Sequence, residues 1–82
     1  MTSNATLPVI SFIIPAYNAA KTIRAALVSV LEQSYPGPIE LSVFDDCSSD
    51  ETSDIVLGLL PLAGSSWPGP RSILLTRAAE VG

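Results

Sequence analysis

Histidine is absent from this 82-residue chain, and cysteine occurs once, as Cys47. The first absence removes the commonest general base and metal ligand of the neutral pH range. The second excludes an internal disulfide and a paired-cysteine metal site, and it fits a reducing compartment. Basic residues are scarce too: Lys21, Arg24, Arg71 and Arg77 stand against eight acidic residues, for a formal net charge of −4. Four dispersed cations make no basic stripe, so there is no strong nucleic-acid-binding signal. No apolar run approaches the ~18 residues of a membrane-spanning helix. The first such run, Val9 to Ile14, is too short for a secretory signal and lacks a preceding basic cluster. With no signal peptide and no membrane segment, the chain reads as cytoplasmic.

What the chain does have is apolar residues, 48% of the total, which argues against disorder. Its length allows one small domain, which would bury only about 60% of its unfolded surface. Residues 1–8 are polar and read as a loose N-terminus, 9–76 as the ordered unit and 77–82 as a tail. Val9-Ile10-Ser11-Phe12-Ile13-Ile14 is β-branched and aromatic on both faces, the pattern of a strand buried in a parallel sheet. Pro15 should end it. Asn18 is suited to cap a helix from about Ala19 to about Gln33, with Ile23, Ala26, Leu27, Val30 and Leu31 on one stripe. Tyr35-Pro36-Gly37-Pro38 then turns the chain. Ile39 to Phe44 reads as a second strand, with Ile39, Leu41 and Val43 on one face and Phe44 joining at its end. Ser48 and Glu51 have the spacing of a capping box before a second helix, whose face is Ile55, Val56, Leu59 and Leu60. From Pro61 to Pro70, prolines, glycines and serines around Trp67 mark a loop, and Ser72 to Thr76 reads as a short third strand. Two right-handed crossovers put three parallel strands in the order 3-2-1, with both helices on one face. The fold class is α/β, and strand 1 is left with an unpaired apolar edge.

Ligands of open parallel sheets bind beyond the carboxyl ends of the strands. Two polar clusters fall there: Pro15-Ala16-Tyr17-Asn18 after strand 1, and Asp45-Asp46-Cys47-Ser48-Ser49-Asp50 after strand 2. Tyr17 can offer an aromatic face to a base. A carboxylate beside it can accept a charge-assisted hydrogen bond from a ring N–H, as in uracil. Adjacent residues of a strand point to opposite sides, so one of Asp45 and Asp46 should face the pocket and the other the packing or solvent.

Three blocks carry a resemblance. Ile10-Ser11-Phe12-Ile13-Ile14-Pro15-Ala16-Tyr17-Asn18 resembles the V-S-V-I-I-P-x-Y-N opening strand of family 2 glycosyltransferases. Leu27-Val28-Ser29-Val30-Leu31-Glu32-Gln33-Ser34-Tyr35 is similar to their L-x-S-[IV]-L-x-Q-[ST]-[YF]. Val43-Phe44-Asp45-Asp46-Cys47-Ser48-Ser49-Asp50-Glu51-Thr52 is similar to their V-x-D-D-G-S-x-D-x-T. The blocks occur in order and together span over half the chain. The resemblance implies the N-terminal, nucleotide-binding part of a GT-A fold, and sugar transfer from a nucleotide-sugar donor, usually a UDP-sugar, to an acceptor the sequence does not specify. It also implies a divalent metal, Mn²⁺ or Mg²⁺, on the diphosphate. Pro15 and Tyr17 match positions lining the base, Asp46 the carboxylate at the uracil edge, and Asp45 a strand-end position with a less direct role. Glu40-Leu41-Ser42-Val43-Phe44 further resembles a eukaryotic N-acetylglucosaminyltransferase-like branch linked to sugar transfer onto modified tRNA, which the net negative charge does not support.

Departures from the pattern set the other expectations. Cys47 stands where the family usually has glycine, a costly exchange if the backbone φ is positive there. The chain contains no D-x-D run, and the family's general base, an acidic residue much further on, has no counterpart. The expectation is a fragment, inactive alone, none of whose residues binds the metal. The rival is a non-catalytic product that binds nucleotide weakly or associates through its exposed strand edge. A receiver-type domain would place its acidic pair after strand 1, and a dinucleotide-binding oxidoreductase would need G-x-G-x-x-G there, so neither fits. Asp50 and Glu51 read as helix-start residues, Cys47 as a small filler, Trp67 as a cover over core, and Arg71 and Arg77 as surface charges.

Overall fold

The computed structural model describes residues 7–78. Residues 1–6 and 79–82, most of the expected loose terminus and tail, lie outside the described residues. Three strands, β1 (Ile10–Ala16), β2 (Ile39–Asp45) and β3 (Arg71–Arg77), alternate with two helices, α1 (Ile23–Leu31) and α2 (Thr52–Leu59). All pairings are parallel and β2 is central, the expected order. Alternation then decides the core. Ile39, Leu41 and Val43 of β2 pack with Ile23, Leu27 and Val30 of α1 and with Val56 and Leu59 of α2. Both helices therefore cover one face of the sheet. Each such side chain contributes about 1.5–3 kcal/mol by leaving water.

Among the described residues, no element covers the opposite face. Ile13 and Leu74 lie 70% and 61% exposed, at register positions flanking Ser42, and Phe44 lies beside them. β1 is thus apolar on both sides but covered on only one. Phe44 does not join the face of Ile39, Leu41 and Val43 either, since the period of two sends it to the bare face.

Pro15 does not end β1. The Ile10 amide donates to the Pro38 carbonyl, and the Ala16 carbonyl accepts from the Asp46 amide. Even-numbered residues of β1 therefore bond toward β2, while the imide nitrogen of Pro15 faces the open edge, where a missing N–H leaves no gap in the ladder.

The helix starts also differ from expectation. Asn18 has φ 48° rather than the extended backbone of an N-cap. The chain makes a turn at Ala19, whose carbonyl accepts from the amides of Thr22 and Ile23, and α1 begins only at Ile23. The Ser48–Glu51 capping box does not form. Glu51 stands at the N-cap of α2 without a side-chain cap bond, and Asp50, one residue before it, accepts from the Thr52 amide at 2.9 Å. Pro61 does not break the chain into loop at once, because Leu60–Gly64 continues as a 3₁₀ turn with proline in its first turn. Trp67 folds back on that turn, donating from Nε1 to the Leu62 carbonyl.

Arg71 is the largest departure. It is 8% exposed, not a surface charge. Its Nε donates to the Leu31 carbonyl at 3.0 Å, and its two terminal nitrogens donate to the carbonyls of Gly37, Pro70, Gln33 and Tyr35 at 2.9–3.1 Å. Five bonds match the five donors of a guanidinium. The positive charge sits at the C-terminal end of α1, the negative end of the helix dipole, where the Leu31 carbonyl is joined by four from the connectors before β2 and β3. One side chain thus closes the α1–β2 connection and pins the start of β3. Arg71→Ala should destabilise the chain by about 3 kcal/mol, because several carbonyls lose a charged partner together. Arg71→Lys should recover less than half of this, for want of a fork, as read from denaturant midpoints.

Candidate functional site

The carboxyl ends of β1 and β2 lie side by side, with Ala16 opposite Asp45. The loops beyond them, Tyr17 to Thr22 and Asp46 to Glu51, are laced together. The Asn18 amide donates to Ser48 Oγ at 2.8 Å, and Asn18 Oδ1 accepts from the Ser49 amide at 2.8 Å. The Ala19 amide donates to Thr52 Oγ1 at 2.9 Å, and the Ala20 amide to Asp50 Oδ2 at 3.2 Å. The donors that lead into α1 are thus satisfied from the other loop and the first residue of α2, about thirty residues away.

The two aspartates part as strand alternation requires. Asp45 is 1% exposed and turns toward the helices. Its Oδ1 accepts from the Ser48 amide at 2.9 Å and from Ser48 Oγ at 2.5 Å, and its Oδ2 accepts from Ser53 Oγ. Arg77, itself half exposed, brings its Nε within 3.9 Å of Oδ2. Burial alone would raise the pKa of Asp45. The Ser48 and Ser53 hydroxyls, the Ser48 amide and Arg77 outweigh it and hold the carboxyl below its ordinary 3.8. Asp50 is also lowered, chiefly by the Thr52 hydroxyl, with the Thr52 and Ala20 amides adding to it. Asp46, by contrast, is exposed.

A cleft of about 330 Å³ opens at this end of the sheet, lined by Pro15, Phe44, Asp45, Asp46, Thr76 and Ala78. Its volume is at the small end for a ligand cleft. Pro15, Phe44 and Thr76 form one row across the sheet on the bare face. The structure thus brings Pro15, Asp45 and Asp46 of the expected site residues together at the cleft. Tyr17, 63% exposed, stands one residue beyond β1 and is not among the residues lining it. Phe44, Thr76 and Ala78 were not foreseen. For Phe44 a strict count of alternation along β2 carries the signal; Thr76 and Ala78 reach the site only through the β2–β3 register.

Among the described residues no group of three or more acidic, cysteine or histidine side chains is placed to hold a metal ion. Asp45 is moreover already engaged at both oxygens. These residues do not fit the divalent metal that the resemblance implies, and no chemical step is routed through one here. No helix among them is long and apolar enough to cross a membrane.

Cys47 answers the glycine question: its φ is 55°. Its thiol donates to the Ala78 carbonyl at 3.1 Å, which ties the loop to the end of β3. Cys47→Gly should stabilise the chain by about 1 kcal/mol in thermal or denaturant unfolding, the left-handed cost outweighing one weak sulfur contact. The lowered carboxylates set the acid response. Hydrogen bonds to groups with depressed pKa contribute stability that is complete above the unfolded value, about 4, and lost as pH falls through the folded one. The denaturation midpoint should therefore stay level from pH 7 to 5 and drop below about pH 4. Asp45→Asn should be weaker at pH 7 and show a shallower acid drop.

Glycosyl transferase family 2 matches residues 11–78. A putative teichuronic acid biosynthesis glycosyltransferase of Bacillus subtilis, TuaG, is 47% identical over 49 residues, covering 60% of this chain and 19% of the relative. A UDP-Glc:alpha-D-GlcNAc-diphosphoundecaprenol beta-1,3-glucosyltransferase of Escherichia coli, WfaP, is 44% identical over 50 residues, 61% of this chain and 20% of the relative. Glycosyltransferase AglE of Haloferax volcanii is 46% identical over 51 residues, 61% of this chain and 17% of the relative. The matched region is thus about one fifth of these relatives' length. No solved structure gives a significant match. With the parallel β-α-β-α-β order and nearly all of the described residues inside the family match, the chain belongs to glycosyl transferase family 2.

Proposed function

We propose that this chain supplies the base-recognising half of a donor site in a protein that transfers sugar from a nucleotide-sugar, with UDP as the nucleotide. One observation carries the reading: an exposed carboxylate, Asp46, stands at a cleft beside Pro15, at the ends of two adjacent parallel strands. Uracil offers N3–H as a donor between two carbonyls, and a carboxylate accepts that proton with charge assistance. Pro15 supplies an apolar wall. Tyr17, outside the cleft in the free chain, supplies a ring that can close over the base. Asp45 contributes by shaping the loop rather than by touching the donor, since both its oxygens are occupied. The name of the Escherichia coli relative, which specifies UDP-Glc, supports the choice of nucleotide.

Recognising a base is not transferring a sugar. The chain has no D-x-D run, and the described residues offer no metal cluster. The diphosphate, its metal and the general base are assigned to residues outside this chain, and the 82 residues alone are expected to be inactive in transfer.

A second reading rests on the bare sheet face. Ile13, Phe44 and Leu74 are all exposed there, beside an open strand edge. A surface of this kind favours association, and the non-catalytic alternative is a product that associates through it.

Titration with UDP, followed by backbone amide shifts, tests the first reading. Shifts at Tyr17 and Asp46 should appear without Mn²⁺. Asp46→Ala should weaken binding about 10-fold or more, the loss of one hydrogen bond to a charged group, with the unfolding midpoint nearly unchanged. Equal affinity of the variant would remove Asp46 from the site. Shifts confined to Ile13, Phe44 and Leu74 that grow with protein concentration would favour association.

A further inference from the structure

We infer that Asn18 is a positioning residue: its side chain sets the placement of the Asp46 loop against Tyr17. The inference deepens the base-site reading above and rests on it for its link to donor affinity. Tyr17 follows β1 and Asp46 follows β2, so the spacing of the two depends on whatever holds the loops together. Asn18 lies next to Tyr17 and does this twice. Its left-handed backbone, φ 48°, turns its amide into the second loop, where it donates to Ser48 Oγ at 2.8 Å. Its Oδ1 accepts from the Ser49 amide at 2.8 Å and from Ser49 Oγ at 3.3 Å. Asn18 therefore grips two consecutive residues of the loop that begins with Asp46.

The proton directions show why the grip is firm. A serine hydroxyl has one proton and can accept as well as donate. Ser48 Oγ gives its proton to Asp45 Oδ1 at 2.5 Å and accepts the Asn18 amide, so the sequence runs amide to hydroxyl to carboxylate. The same order recurs one turn further on. The Ala19 amide donates to Thr52 Oγ1 at 2.9 Å, and that hydroxyl donates to Asp50 Oδ1. Two parallel relays thus leave successive residues of the β1 loop and end on two different carboxylates, Asp45 at the end of β2 and Asp50 in the loop before α2. An ionised acceptor at the end polarises each hydroxyl and strengthens the bond behind it. Of these contacts, only the Asn18 Oδ1 grip on Ser49 comes from a side chain of the first loop. It can be removed while the backbone and both relays stay in place.

Asn18→Gly does this, because glycine keeps the left-handed backbone and the amide but has no Oδ1. Asn18→Asp restores an acceptor at the same place, on a residue that also tolerates positive φ. In the nucleotide-free 82-residue chain, the Asp46 and Cys47 amide resonances should move in Asn18→Gly and return toward wild type in Asn18→Asp. UDP affinity should fall about 5–10-fold in the glycine variant, which loses both bonds to Asn18 Oδ1, and return to within about 2-fold in the aspartate variant. Unmoved Asp46 and Cys47 resonances in Asn18→Gly would overturn the inference, whatever UDP does. Resonances that move and recover while UDP binds nowhere on the wild-type chain would uphold the latch and sink the base-site reading instead. Should the glycine variant not fold, exchange of the Ser49 amide in the wild-type chain decides the matter. Reciprocity requires UDP to slow it, and an unchanged rate at saturation would overturn the inference.

Discussion

A carboxylate with almost no contact with water sits at the end of the central strand, and the architecture of this end of the molecule follows from it. An ionised Asp45 without partners would cost several kcal/mol, enough to cancel the stability of so small a chain. It must be saturated, and the nearest donors are those of the loop that follows. Ser48 folds back to supply an amide and a hydroxyl, and Ser53 supplies a second hydroxyl from the first turn of α2. That folding bends the loop tightly enough to demand a positive φ at Cys47. It also leaves Ser48 with a free lone pair, which the β1 loop then takes. Asp46 is exposed for the same reason that Asp45 is buried: adjacent strand residues face opposite ways.

The other end of the sheet mirrors this with the sign reversed. Arg71 opens β3 as Asp45 closes β2, and each is surrounded mainly by neutral groups rather than by a full counter-charge. Arg71 collects carbonyls from a helix end and two connectors; Asp45 collects N–H and O–H donors from a loop and a helix start. A small core of aliphatic side chains sets the layer, but these two charges fix how the chain enters and leaves it. Two polar clamps, one per end, hold three strands in register with few residues to spare.

Periodicity made the strands, the helices and their order legible, because burial on one face writes a direct pattern into β2 and α1. It also separated Asp45 from Asp46 as two different environments. What stayed hidden has a common cause. Asn18 and the Ser48–Glu51 pair look like local helix caps, and each has the right chemistry for that role. Asn18 and Ser48 instead bond to each other across about thirty residues, which spacing along the chain could not reveal, and Glu51 makes no side-chain cap bond. Arg71 looked like a surface charge because nothing in its immediate sequence signals that five carbonyls converge there. Pro15 looks like a strand stop because a missing N–H breaks the ladder of a central strand, whereas β1 is an edge strand and turns Pro15 away from β2. The site residues followed from strand ends and motif blocks, while Phe44, Thr76 and Ala78 depend on which face and which neighbour each strand meets.

The orientation of Pro15 has a consequence for the whole sheet edge. Along β1 the amides of Ser11 and Ile13 point outward, away from β2, so a further strand could zip onto that side as far as Ile13. At Pro15 the row of donors stops. A strand arriving there would find the Pro15 carbonyl as an acceptor but no N–H beside it, so its ladder would be one bond short next to Tyr17. A single missing hydrogen thus makes pairing along that edge weakest where β1 meets the mouth of the site.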